Sequence, residues 1–347
     1  MFRSTVPAKL RTTGKPRTGE PMPIPSPSRG MNTLVNYIAL PADQARYLVN
    51  WLPQYGACSV RPGQSTSCSV SGATGMKSLM EYRGVNGTQL IGAGTDGKIY
   101  ECTGVTGAEL ASGYVNNYWS YENSNLYLIA VNGEDTPFRF DGTSISASGI
   151  NGIADITNLR TVKKCKGERL WFTANNSAIA YYLDPDAIAG TLNSFDLSTI
   201  ANGGWCMGVY PWRDFTVFVM STGEVLIYAG DPSTTFSWQG SYRAPRPVAY
   251  DAAVKIGGDL VLMTVSGPIT LELIAAGLAF DVDSLQGWGW ISPTWSADVK
   301  LYEGNSGWNA IYHNGIAIFN VPTDIGTSKQ YVNNLNVPGG AWTTYGA

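Results

Sequence analysis

The chain holds a single histidine, His313. Any Ser-His-Asp or Cys-His chemistry would have to pass through it. It stands in Tyr312-His313-Asn314-Gly315, a tight-turn sequence that holds a catalytic base poorly. The same count excludes a His-rich metal site. Carboxylate pairs occur at Asp184/Asp186, Glu134/Asp135 and Asp281/Asp283. A glycosidase needs such a pair facing across a cleft, but each of these falls among turn residues, and turn chemistry accounts for them. Gly92, Gly94 and Gly97 lie inside a hairpin and not between a strand and a helix, so they do not read as a phosphate cradle. The five cysteines are Cys58, Cys68, Cys102, Cys165 and Cys206. Their odd number and the lack of a C-x-x-C spacing suggest neither a disulfide framework nor a zinc site. Cys102, Cys165 and Cys206 read as small packed hydrophobes. Reduced thiols are the simpler reading of the rest, with a Cys58–Cys68 bridge the alternative. No catalytic, cofactor-binding or metal-binding residue is expected, and the chain does not read as an enzyme.

Two other groups of residues could contact partners. Trp288, Trp290 and Trp295 crowd into GWGWISPTW. They could form a stacking platform or an aromatic interface, or pack between structural units. The other group is cationic: Arg3, Lys9, Arg11, Lys15, Arg17 and Arg29 oppose only Glu20 in residues 1–30, a net +5. The whole chain is −3, so residues 31–347 carry −8. Six prolines in the same stretch favour an extended arm. A basic arm on an acidic body suits an acidic partner, whereas the body itself should not grip phosphate. Charged residues make up 14% of the chain and aromatics 12%, with 19 Tyr and 11 Trp. A weakly charged, Tyr- and Trp-rich surface suits subunit contacts. No apolar run reaches membrane-spanning length, and the first residues lack the apolar core of a secretory signal.

The elements that must position these residues are short apolar runs between Gly, Asn, Asp and Ser turns. Six hairpins are readable: Thr88–Thr103, Asn125–Ile145, Glu168–Leu183, Phe215–Ala229, Asp259–Leu273 and Trp308–Asn320. Equivalent positions Leu90, Leu126, Leu170, Val217, Leu260 and Ile311 are spaced by 36, 44, 47, 43 and 51 residues. A period near 44 with about four strands per unit predicts an all-β, β-propeller-like fold of about six blades. The expected layout is an arm over 1–30, a linker over 31–75 and the propeller over 76–347. Ala42–Leu52 is the one stretch with helical or irregular character. Gln330–Tyr345 could complete the ring by pairing near the N-terminal edge.

Three segments carry a family resemblance. NWLPQYGACSVRPG at residues 50–63 resembles an NWFP…RxRPG stretch, with Leu52 for Phe and Ser59 where Arg is frequent. Residues 226–273 resemble a GxDPS…W…G.Y…P…GGDL…T..G pattern anchored here by Gly230, Asp231, Pro232, Ser233, Trp238, Gly240, Tyr242, Pro247, Gly257, Gly258, Asp259, Leu260 and Gly267. QYVNNLNVPGGAWTTY is similar to a terminal YVxNxxTGAW segment. Together these resemble the tail nozzle, or tail tubular (DNA-stabilising), proteins of short-tailed bacteriophages. The resemblance implies a structural virion protein, assembled in the host cytoplasm into a hexameric ring. That ring would sit below the portal and adaptor, contact fibre or other tail proteins, retain packaged double-stranded DNA and conduct it on ejection. Many relatives are longer and carry extra domains for fibre contacts or the distal tip. The competing reading is a carbohydrate-binding or carbohydrate-active propeller. The sialidase Asp-box S-x-D-x-G-x-T-W is not matched by the nearest segment, Asp231 to Trp238. A third reading is DNA binding through the arm alone.

Overall fold

In the computed structural model, residues 24–346 are described, except 86, 282–283 and 325–326. The chain folds into six small antiparallel sheets arranged as a six-bladed β-propeller. Blade 1 comprises Met76–Gly84, Gly87–Gly94, Lys98–Glu101 and Ala108–Ser112. Blade 2 comprises Ser120–Ser124, Tyr127–Val131, Phe138–Phe140 and Ile145–Ala147. Blade 3 is Leu159–Cys165, Arg169–Ala174, Ile179–Tyr182 and Asn193–Asp196, and blade 4 is Cys206–Trp212, Phe215–Met220, Glu224–Asp231 and Thr235–Arg243. Blade 5 has three strands, Ala253–Ile256, Asp259–Thr264 and Gly267–Thr270, and blade 6 is Asn309–His313, Ile316–Asp324, Thr327–Asn334 and Trp342–Tyr345. First strands of blades 1 to 4 touch in succession, as do those of blades 5 and 6, which sets these strands toward the axis.

Alternation along the second strands explains why they read as unbroken apolar runs. In Phe215–Met220, Val217 and Val219 face a core shared with blade 5, while Phe218 and Met220 face a core shared with blade 3. In Tyr127–Val131, Leu128 and Ala130 face blade 1, and Ile129 and Val131 face blade 3. A strand sandwiched between two blades must be apolar on both faces. Outer strands such as Asn193–Asp196 are largely exposed and polar, which is why they leave a weak trace in the sequence.

The sixth hairpin is out of phase. The first five are second and third strands of their blades, but Trp308–Asn320 covers the first and second strands of blade 6. The shift comes from a helical insertion where the outer strand of blade 5 would stand: α1 (Leu271–Ala275), a 3-10 turn (Gln286–Ile291) and α2 (Ser292–Tyr302). The only sequence signal for α2 is Pro293 in its first turn. Ala42–Leu52, where helical or irregular character was expected, has no helix and enters a small hairpin, Trp51–Gln54 with Ala57–Val60.

Turn chemistry is mixed. Asn314-Gly315 has φ +48° and +79°, the left-handed pair that a two-residue hairpin turn requires. The turn at Asn125-Leu126 has φ +46° and +68°, so an exposed leucine occupies a conformation costly for L-residues. Leu126→Gly should therefore stabilise the protein by about 1 kcal/mol in urea denaturation. An unchanged or lower midpoint would show that no strain is held there.

Buried apolar clusters join blade 1 to 2, 2 to 3, 3 to 4, 4 to 5 and 5 to 6. Among the described residues, none joins blade 6 to blade 1. The chain before Met76 occupies that seam. Its hairpin packs on the outer strands of blade 6. Residues 68–71 lie along blade 1 through a Ser69–Thr106 bridge and a Tyr100 hydroxyl bond to Ser71 O. Parts of residues 31–75 thus pack on blades 6 and 1, and this segment is termed the clasp. Within blade 1 itself packing is tight at Gly92: a Cβ there would stand 3.0 Å from Met76 Sδ and 3.1 Å from Cys102 Sγ.

Candidate functional site: the clasp, its clamps and the axis

The first and third family-like segments meet in space. Asn50 N donates to Thr344 O at 2.8 Å, and Asn334 Nδ2 donates to Pro53 O at 2.8 Å. The Arg61 guanidinium lies 4.9 Å from the Tyr345 ring centre. Upstream, Gly30 forms a parallel bridge with Trp342. Only glycine fits there: φ is +81°, and a Cβ would stand 2.6 Å from both Trp342 N and O. Trp342 is fully buried and donates its indole N–H to Gly287 O at 2.7 Å. The expected pairing of Gln330–Tyr345 near the N-terminal edge thus takes the form of isolated parallel bridges at Gly30 and Val49.

The middle segment supplies clamps between blades. Arg169 on blade 3 is only 2% exposed. Its Nε and Nη2 reach Asp231 Oδ2 and Oδ1 at 2.9 and 3.0 Å, and Nη2 also donates to Ser233 Oγ at 2.8 Å. The Asp-Pro-Ser turn of blade 4 thus grips a buried cation on the neighbouring blade. The Arg169 hydrogen bonds, against some desolvation, hold the Asp231 carboxyl down at about 2. Asp259, in Gly257-Gly258-Asp259-Leu260, accepts the Trp212 indole N–H of blade 4 at 2.7 Å.

A third polar cluster lies on the axis. Asp251, just before blade 5 and at φ +54°, accepts from Ser120 Oγ of blade 2 at 2.7 Å and pairs with Lys163 of blade 3 at 2.9 Å. Its backbone N–H donates to Met207 O of blade 4 at 3.2 Å. Tyr250 beside it accepts at its hydroxyl from Asn176 N and takes the Arg160 guanidinium over its ring at 5.7 Å. One loop therefore bonds to three other blades across the middle of the ring.

The residues singled out from the sequence fare differently. Arg3, Lys9, Arg11, Lys15 and Arg17 lie outside the described residues. Arg29 is exposed, but its guanidinium stacks within the chain, 5.9 Å from the centre of the Trp290 ring. Trp290 is half-buried, and its carbonyl accepts both N–H and O–H of Thr33. Trp288 packs 5.8 Å from Trp342. Trp295 is 0% exposed, 5.2 Å from Tyr331, with its N–H on Thr264 O. Of the readings open for this trio, packing between structural units holds for Trp295, which α2 turns into the core shared by blades 5 and 6, while Trp288 and Trp290 are half-buried. His313 is exposed at the Asn314-Gly315 turn. Cys102, Cys165 and Cys206 are buried as expected. Among the described residues, no three His, Cys, Asp or Glu side chains group as metal ligands, and no helix is long and apolar enough to cross a membrane.

Sequence reasoning missed an exposed apolar group on the clasp: Tyr37, Ile38, Tyr47, Trp51, Tyr55 and Val60. Ile38, Tyr55 and Tyr47 are 92%, 84% and 80% exposed. Trp51 and Val60 are directly paired across the small hairpin. Where exposed aromatics of this kind adjoin, as Trp51 and Val60 do, they suit a contact surface. The signal was present in the density of Tyr and Trp before Pro62.

No family model matches the chain, and no curated protein matches it. Among solved structures, BBS1N in complex with ARL6DN aligns at TM-score 0.47 and 11% identity, covering 82% of this chain and 84% of that one. The computationally designed Ika8 protein aligns at 0.41 and 10%, covering 75% and 71%. BamB from Moraxella catarrhalis aligns at 0.40 and 13%, covering 62% and 63% of the two chains. Identities and scores this low carry no argument about function.

Proposed function

We propose that this protein is a structural ring subunit of a short-tailed phage tail, a nozzle component that retains and conducts double-stranded DNA below the portal and adaptor. The observation that carries this reading is the exposed aromatic group on the clasp, which would seat a neighbouring copy. The family-like segments support it from another side: one forms the hairpin of the clasp, another the outer strands of blade 6 on which that hairpin packs, and the middle one holds blades 3, 4 and 5 together. The basic arm leads directly into the clasp at Gly30, so its cations would reach an acidic adaptor or a neighbouring acidic body. In this reading the ring is the functional unit, fibre proteins would attach to its outside, and the chain performs no catalysis.

Electron microscopy of the purified full chain should show six-fold rings. The triple variant Tyr47→Ser, Trp51→Ser and Tyr55→Ser should reduce ring yield at least about tenfold while leaving the far-UV circular dichroism unchanged. A wild-type chain that stays monodisperse and monomeric at high concentration, and binds glycans, would sink the ring reading in favour of a carbohydrate-binding propeller. Strongly salt-dependent DNA affinity, lost on deleting residues 1–30, would instead favour the arm as a DNA-binding element.

A further inference from the structure

The clasp carries a second chemical feature, separate from its aromatic face. Ser69 N donates to Val105 O and Gly107 N to Ser69 O, both at 2.8 Å. These bonds fix residue 68 beside the turn that follows the third strand of blade 1. Cys102 ends that strand region, held by its N–H on Leu90 O at 2.6 Å. A Cβ on Gly107 would stand 3.2 Å from Cys68 Sγ and 3.1 Å from Glu101 O, the residue adjoining Cys102. Cys102 Sγ stands 3.1 Å from where a Cβ on Gly92 would lie, and the Cys102 thiol is within hydrogen-bonding reach of the Cys68 thiol. Both thiols are free; Cys68 is half-exposed and Cys102 is buried. Cys58, the partner weighed for Cys68 from sequence, lies instead against the core of blades 5 and 6.

We infer that Cys68 and Cys102 form an oxidisable dithiol, a site at which a low-molecular-weight disulfide such as oxidised glutathione closes a covalent staple between the clasp and blade 1. The more accessible Cys68 thiolate attacks the small disulfide, forming a mixed disulfide and releasing one glutathione thiolate. The Cys102 thiolate then displaces the second. Two cysteine thiols lose two protons and two electrons, and the oxidant leaves as two glutathione thiols. Burial, followed by hydrogen bonding to the Cys68 thiol, pushes Cys102 up to about 11; its thiolate is scarce, so the second step is slow and rests on the nearness of the mixed disulfide. The staple matters for the fold because no buried apolar cluster among the described residues joins blades 6 and 1. The clasp spans that seam, and the bond would fix its blade 1 end.

The test uses the full-length protein incubated with oxidised glutathione, followed by thiol counting under denaturing conditions and non-reducing peptide mapping. The expected result is loss of two thiols, one Cys68–Cys102 cross-linked peptide, and a Tm raised by about 5 °C and restored by dithiothreitol. Cys58→Ser should behave as wild type, and Cys68→Ser should lose no pair of thiols. A stable glutathione adduct on Cys68 without closure, a Cys58–Cys68 peptide, or five thiols remaining would each overturn the inference. Mapping the wild-type chain keeps the test decisive even if a cysteine variant folds poorly. The result does not depend on whether the protein forms a ring.

Discussion

Replacing Arg169 by alanine should cost the fold about 3–5 kcal/mol, because it breaks a buried ion pair from one side. The guanidinium is almost fully buried and bonds to Asp231 and Ser233 on the next blade and to Leu183 O on its own. Removing it strands the Asp231 carboxylate, which is 28% exposed, and leaves the Ser233 hydroxyl and the Leu183 carbonyl short of a donor. Arg169→Lys should recover only part of the loss, since one ammonium cannot make the forked contact. Urea denaturation of the three proteins measures this, and a loss under about 1 kcal/mol in Arg169→Ala would refute the clamp. The same pair sets an acid limb. Asp231 is held at about 2 against an ordinary 3.8. Its contribution, on the order of 2 kcal/mol, is present above about pH 4 and lost as pH falls towards 2. The difference between wild type and Arg169→Ala should therefore shrink over that window. A difference that stays constant from pH 5 to 2 would place the stabilisation elsewhere.

Trp342→Ala should be comparably severe, about 3–5 kcal/mol, but with a different pattern of damage. Trp342 is fully buried, stacks near Phe319 and Trp288, and supports the clasp through its backbone, where its O accepts from Met31 N at 2.6 Å. The indole fills the space between blade 6 and the turn at Gly287. Without it the clasp should come away before the blades do. Limited trypsin digestion should cut at the exposed Arg46 about tenfold faster than in wild type, before any cleavage inside the propeller. If Arg46 and the blades are cut together, the clasp is not a separately releasable unit.

Much of this fold is legible from residue order, for a stated reason. A strand pressed between two blades is apolar on both faces, so Leu170–Phe172 and Val217–Met220 stand out. The sixth unit was misphased because α1 and α2 displace an outer strand, and Asn309–His313 carries its own hairpin turn and so mimics the earlier units. The clamps were visible only as family-like letters. Nothing local in Asp231-Pro232-Ser233 reveals Arg169 sixty-two positions earlier. Likewise, Trp295 looks like a surface aromatic until α2 is known to wind it inward. The exposed tyrosines of the clasp could be counted, but exposure is a property of the packed chain: Tyr331 and Tyr47 are the same residue type with opposite fates.

The loop at Tyr250 and Asp251 also bears on how cargo could travel. A propeller with an open middle is a tube, and its bore follows from its blade count. Here one loop bonds to blades 2, 3 and 4 across that middle, so it narrows the bore of the single chain. In the ring proposed above, a thread would therefore pass between copies and not through the blades of one. The width of such a passage would be set by how many copies stand side by side, and nothing done to the blades of one copy could widen it.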